Sequence, residues 1–381
     1  MPIQTTRRYD LDALRVGAFL LLILYHLGMF YVPWTWHVKS DHIIPALEPW
    51  MGAVNPWRLS LLFVISGVAT RFMAKDAPTG VLLAQRSQRL LIPLLLGMLL
   101  IVAPQSWAEV VETKGYAGGF LDFWPRYLSF DQSFGIILPT YNHLWFVAYL
   151  WVYTALALLM RPLWPAMDRM AALALRGPGL LVLPALAFGL YRATAGRTWG
   201  ETHIVFADAY GHLQYASAFL LGLALARLDA AWTGLERFRA LLATAAVLMF
   251  VAGFVLRGAE DLPGAAGAAF AFLREAYAWT VICALFGYAR RYVTRGSALL
   301  GVLTEAVFPF YIIHQTAIVL AGHLLKPIGL SAVVEASTIL AITAAACVAT
   351  YALARAAPVL RLPLGLKPAP RRRNTPALPA E

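Results

Sequence analysis

The chain has 381 residues, of which 60% are hydrophobic and only 13% charged, with a mean hydropathy of +0.66, which is too apolar for one soluble core. Its formal net charge of +11 lies in short clusters between apolar runs and in the tail, a pattern of membrane topology that argues against a nucleic-acid partner. Cys283 and Cys347, the only two cysteines, both sit inside apolar runs and make neither a disulfide framework nor a zinc site; no metal and no bound cofactor are expected.

In chain order, the first apolar run covers residues 11–32. It follows basic residues as a signal peptide does, but no A-x-A-like site follows "LGMFYVPWTWH" and Arg15 interrupts the run, so it reads as a retained first membrane helix. Nine further runs follow at 51–73, 90–107, 142–160, 178–193, 212–229, 240–257, 269–289, 298–322 and 331–355, each near the roughly 20 residues a spanning helix needs. The run 178–193 contains Pro184, which a membrane bundle tolerates when neighbouring helices satisfy the freed carbonyl. Ten spans put both termini on one side, and alternate assignment of the connections places about 21 of the 31 Lys and Arg there, which predicts cytoplasmic termini.

The sequence therefore predicts an all-α, polytopic transmembrane bundle over residues 1–355 in a lipid bilayer. A basic, Pro-rich tail, 356–381, reads as disordered cytoplasmic chain drawn to anionic lipid. The connections 33–50, 108–141 and 194–211 are rich in Trp, Tyr, Pro and His. Their aromatic residues read chiefly as interfacial anchors, with a sugar-stacking surface as the alternative. His37, Lys39 and Asp41 fall at the outer mouth, where solvation or contact with an acceptor would account for them.

Within the first helix, Arg15 and His26 lie 11 residues apart, about three turns and a rise of about 16 Å, so they share one face. Ionisable groups in a span face a bundle interior or a wet cavity; the plainer reading is that Arg15 snorkels beside Asp12 while His26 bonds a neighbouring helix. "RSQR" sets Arg86 and Arg89 three apart on one side of a helix start, able to hold an anion with two guanidinium forks. "FVISG" puts Ser66 and Gly67 inside the second span, where a close helix approach or a lining hydroxyl fits. "NHLWF" opens the fourth span with His143 and Trp145, and "TEAVFPFYIIHQ" opens the ninth with Glu305, Tyr311, His314 and Gln315. So many polar side chains in one bundle mark a site more often than they glue helices.

In this order, R-x10-H in the first helix, "FVISG", "RxxR" before the third span, "HLWF" and "FPFYIIHQ" resemble acyltransferase family 3, multipass membrane enzymes, over about residues 9–350. The stretch "YDLDALRVGAFLLLILYHLGMFYVPWTWHVKS" is particularly similar to the branch that succinylates osmoregulated periplasmic glucans. The resemblance implies a bacterial inner-membrane O-acyltransferase that moves an acyl group from cytoplasmic acyl-CoA to a hydroxyl of a periplasmic glycan. Succinyl-CoA is the favoured co-substrate and acetyl-CoA the alternative, with glycan-synthesis proteins as candidate partners.

By the same resemblance His26 is the general base, and Arg15, Arg86 and Arg89 hold the donor's phosphates or carboxylate. Glu305 is expected to orient or charge-compensate a histidine. Tyr311 or Trp145 is expected to donate to the oxyanion. His314 is a further candidate catalytic residue, His143 lines the pocket with Ser66 and Trp145, and Ser66 is also the candidate for a covalent acyl carrier, although direct transfer is favoured because no partner base is assigned to it. The rival functions are a transporter or flippase of an anionic metabolite or lipid-linked glycan, which also needs buried Arg, His and Glu, a haem carrier using His26, His143 and His314 as axial ligands, and a structural assembly partner.

Overall fold

A computed structural model describes residues 7–75, 77–260 and 262–368, and among them there is no strand. α1 (Tyr9–Tyr31) carries Asp10 and Asp12 in its first turn, where carboxylates meet the positive end of the helix. Its last turn is closed by the Lys39 ammonium, which donates to the Met29 carbonyl at 2.5 Å and to the Val32 carbonyl. After α2 (Glu48–Met73), α3 (Thr79–Leu96) runs through the wider π-helical turns of Gly97–Val102 into α4 (Ala103–Lys114). The third predicted span, 90–107, is thus part of one apolar rod from Thr79 to Lys114, and Arg86 and Arg89 lie inside a helix rather than at its start.

The π turns leave carbonyls off the helical axis for side chains to reach. Met98 accepts from the Tyr127 hydroxyl at 2.8 Å, Leu99 from the Trp124 indole at 3.0 Å, and Ile101 from the Thr316 hydroxyl at 2.8 Å. Tyr127 and Trp124 belong to α5 (Phe120–Leu128), whose connection builds a small core from Phe123, Tyr127 and Phe134 against Val110 of α4. These aromatic residues pack on one another.

The remaining helices are α6 (Trp145–Leu159), α7 (Trp164–Ala174), α8 (Gly179–Tyr191), α9 (Arg197–Trp199), α10 (Ala209–Leu225), α11 (Asp229–Arg237), α12 (Arg239–Val255), α13 (Gly264–Tyr292), α14 (Ala298–Leu325), α15 (Ala332–Ala356) and α16 (Pro358–Arg361). α14 packs along α1, α4 and α15. α2 crosses α10 at backbone contact: a Cβ on Gly67 would lie 2.0 Å from the Phe219 carbonyl, and one on Gly222 2.0 Å from the Val64 carbonyl. The glycine of "FVISG" is there for this crossing.

Among the described residues, eight spans are long and apolar enough to cross a membrane, or nine if α10 and α11, bent by 101°, count as one. All ten predicted runs are helical, but α10 and α12 have only 17 residues each, about 25 Å against a hydrocarbon core of about 30 Å. The predicted disordered tail is corrected up to residue 368. Leu366, 1% exposed, packs with Ala306, Tyr351 and Ala354, and the Arg361 Nε donates to the Lys367 carbonyl at 2.8 Å. Leu364 and Leu366 anchor a segment whose Pro-rich, basic composition hides them. Residues 369–381 of the predicted tail lie outside the described residues.

Candidate active site

Two cavities enter the bundle from opposite ends of α1. One, of about 770 Å³, is lined at the start of α1 by Arg7, Arg8 and Arg15, and by Arg86 and Arg89 of α3 and Arg361 and Lys367 of the C-terminal segment, with Asp12, Ser66 and Glu305. Both ends of the described chain therefore lie on one side of the bundle. The other cavity, of about 1010 Å³, holds His26, His37, Arg58, Glu109, His143, Trp145, Glu201 and His203. The expected common face of α1 is realised: Arg15 lines the first cavity, His26 the second, and Phe19 both.

Phe19, Leu62, Phe146 and Tyr311 line both cavities. Their three rings meet mutually, with centroids 6.4 Å apart for Phe19–Phe146, 5.4 Å for Phe19–Tyr311 and 6.2 Å for Phe146–Tyr311. Edge-on aromatic contacts of this kind are stable packing, and here they form the partition between a basic chamber and a histidine chamber.

Immediately beyond the partition, the His26 Nδ1 lies 2.9 Å from the His314 Nε2, and the rings are parallel to within 3°. The His314 Nδ1 is 2.8 Å from the Tyr311 carbonyl. A carbonyl only accepts, so the His314 Nδ1 carries the proton and, in the neutral ring, its Nε2 is an acceptor. His26 consequently donates from Nδ1 and keeps its lone pair on Nε2. His143 is held by the same logic: its Nε2 donates to the Tyr311 and Ile312 carbonyls, each at 3.1 Å, and its Nδ1 faces the Gln105 amide at 3.4 Å. Gln105 also donates to Thr316 at 2.6 Å and accepts from Gln315 at 3.1 Å, which ties α4 to α14 behind the histidines.

Several expected roles change. Glu305 does not sit with the histidines: it is nine residues before His314 on α14, lines the basic cavity, accepts from the Tyr351 hydroxyl at 2.9 Å and pairs with Arg361 at 3.5 Å. The Tyr311 hydroxyl is engaged by the His143 carbonyl, so it is not a free oxyanion donor. Ser66 lines the arginine chamber, on the other side of the partition from every histidine just described. Trp145 lines the histidine chamber and stacks on His203, with centroids 4.1 Å apart. Arg15 does pair with Asp12, at 2.6 Å, and still lines the basic chamber, whereas the Arg86 Nε is buried without a partner. With 2.9 Å between their paired nitrogens, His26 and His314 leave no room for an iron between them.

At the mouth of the histidine chamber, the His37 Nδ1 meets Glu109 at 2.6 Å. Burial would push the Glu201 carboxyl up, but hydrogen bonds from His203, at 3.0 Å, and Tyr215, with the charge of Arg58, hold it below the usual carboxylate range. Arg58, Gln105, Glu201 and His203 went unread in the sequence. An arginine within "NPWRLSLLFVISG" and a glutamine within "IVAPQSW", each inside a span, are signals of the kind that singled out Arg15 and His26.

A profile described as an acyltransferase domain matches residues 8–355. The chain belongs to this acyltransferase family. Curated proteins similar to this acyltransferase include glucans biosynthesis protein C of Escherichia coli O6:K15:H31 (strain 536) and of Escherichia coli strain K12. Each is 30% identical over 155 residues, which cover 41% of this chain and 39% of the relative. The acyltransferase thus matches about two fifths of the length of these relatives. No solved structure matches it.

Proposed function

We propose that the protein transfers an acyl group, succinyl by preference, from cytoplasmic acyl-CoA to a hydroxyl of a periplasmic glycan such as an osmoregulated glucan. The observation that carries this reading is the single face of α1 that presents Arg15 to a basic chamber and His26 to a histidine chamber across a ring partition. The spacing, about 16 Å along the helix, suits an extended pantetheine arm with its phosphates among Arg15, Arg86 and Arg89 and its thioester at the rings. Arg361 compensates Glu305 in the donor chamber, so that carboxylate does not repel the donor's phosphates. The basic end is cytoplasmic, since membrane proteins keep Lys and Arg inside; α10 and α12, at 17 residues each, complete ten crossings of the inner membrane as its shortest continuous spans.

His26 is the general base. Its Nε2 takes the proton of the acceptor hydroxyl as the oxygen attacks the thioester carbonyl, and returns it to the sulfur as the C–S bond breaks. His314 is a positioning residue: it accepts from the His26 Nδ1 and so fixes the tautomer that leaves Nε2 free. Transfer is direct, because Ser66 has no histidine on its side of the partition. A transporter would share the opposed cavities but gives no role to this tautomer relay.

The test is the acyl content of periplasmic glucans, read by mass spectrometry, in a deletion strain carrying wild type or an inserted His26→Ala variant. Restoration by wild type alone supports acyl transfer, and the mass increment names the acyl group. Equal restoration by both removes His26 from the chemistry; restoration by neither removes the glucan as acceptor.

A further inference from the structure

The histidine chamber contains a cation that this scheme leaves idle. Arg58, on α2, is 8% exposed and lies with its guanidinium carbon 3.6 Å from the ring centroid of Tyr25, the neighbour of His26 in the chain. Its Nη1 is committed to Asn55, at 3.0 Å to the carbonyl and 2.6 Å to Oδ1. Its Nε is buried and has no hydrogen-bond partner, and among the described residues no carboxylate lies within ion-pair distance of the guanidinium. The chamber's two carboxylates are taken, Glu109 by His37 and Glu201 by His203 and Tyr215.

An arginine is always ionised, and a buried charge in a span that no carboxylate contacts, with Glu201 acting on it only through space, is costly enough to mark a ligand. With Nη1 held by Asn55, the Nε–Nη2 edge remains, and that edge is the fork that takes a carboxylate through two parallel hydrogen bonds. A developing oxyanion is transient and needs a single oxygen bound; a permanent cation offering two donors matches a permanent carboxylate. The donor's phosphates dock at the other end of α1, so what arrives in this chamber from the donor is the acyl group itself.

We propose that Arg58 reads a carboxylate at the far end of the transferred acyl group, so that the donor is the thioester of a dicarboxylic acid. The inference rests on the acyl-transfer reading above. Arg58 makes and breaks no covalent bond: it fixes the acyl chain by its charged end while the carbonyl carbon stays at His26, and it discriminates against chains that end in a methyl group.

The experiment uses the full-length protein in proteoliposomes, with succinyl-CoA and butyryl-CoA, equal in carbon count and differing in the terminal carboxylate. The acceptors are a neutral glucan oligosaccharide and one carrying phosphoglycerol. Wild type is expected to prefer succinyl-CoA by about 10⁴-fold or more in kcat/KM, the scale on which sites built around a polar group reject analogues lacking it. Arg58→Gln is expected to remove most of that preference by losing succinyl transfer while butyryl transfer stays within about threefold. Arg58→Lys, a charge without the fork, is expected to fall between them. Equal loss of both acyl groups in Arg58→Gln overturns the inference and makes Arg58 part of the common chemistry or of the fold. A loss confined to the phosphoglycerol acceptor overturns it by assigning the anion to the acceptor, and a wild type indifferent to the carboxylate overturns it outright. Absence of transfer from either thioester brings down the acyl-transfer reading, and this inference with it.

Discussion

Replacing His314 by Phe keeps a flat ring of similar size and removes the acceptor that holds the His26 Nδ1–H at 2.9 Å. As His26 takes the acceptor's proton it becomes an imidazolium, and its bond to His314 becomes one from a charged donor. Such bonds contribute about 1.5–3 kcal/mol, which corresponds to about a 10- to 150-fold loss of kcat. The substrate chambers are otherwise unaltered, so the donor KM is expected to hold. Initial rates of acyl incorporation into glucan give both constants, and detergent-solubilised elution profiles confirm that the variant folds. In a double-mutant cycle with His26→Ala, the His314→Phe loss is expected to vanish, because a relay has nothing left to orient. Rates within twofold of wild type, or an undiminished loss in the His26→Ala background, would refute the relay.

Arg86→Gln and Arg89→Gln are each expected to raise the donor KM by about tenfold or more at nearly constant kcat, the loss of one charged hydrogen-bonding partner for an anion; unchanged KM in both would move the donor site elsewhere. Arg361→Ala leaves Glu305 uncompensated in the same chamber and is expected to raise the donor KM only about two- to fivefold, since the pair is partly exposed; titration of the donor against initial rate measures it. Phe19→Ala opens the ring partition and is expected to give thioester hydrolysis without acceptor, followed by release of free thiol; a tight variant would show that the rings do not separate the chambers. Gly67→Ala forces a Cβ to within 2.0 Å of the Phe219 carbonyl and is expected to destabilise by about 1–3 kcal/mol or more, read as a lowered melting temperature in detergent.

What the sequence disclosed was what one helix can disclose alone. The 11-residue interval between Arg15 and His26 determines a common face before any neighbour is known, and that face is the axis of the site. The apolar runs gave the helices for the same reason. The partner of His26 was not readable as such: His314 was a candidate, but the two are 288 residues apart, and no periodicity says which nitrogen meets which. Glu305 and Tyr311 share the ninth span with His314, yet position along that helix sends Glu305 to the other chamber and backbone geometry takes up the Tyr311 hydroxyl. Arg58 and Gln105 were visible as polar letters in apolar runs, but their significance depends on the helices they face.

The ring partition has an electrical consequence. A cavity of about 770 Å³ and one of about 1010 Å³, joined and filled with water, would form a continuous path for ions through the bundle. Phe19, Phe146 and Tyr311 are therefore the insulation of this membrane protein as well as a wall of its site. Under the proposed acyl transfer, the seal would have to open by no more than the thioester arm itself fills, which would tie catalysis to the integrity of the membrane barrier.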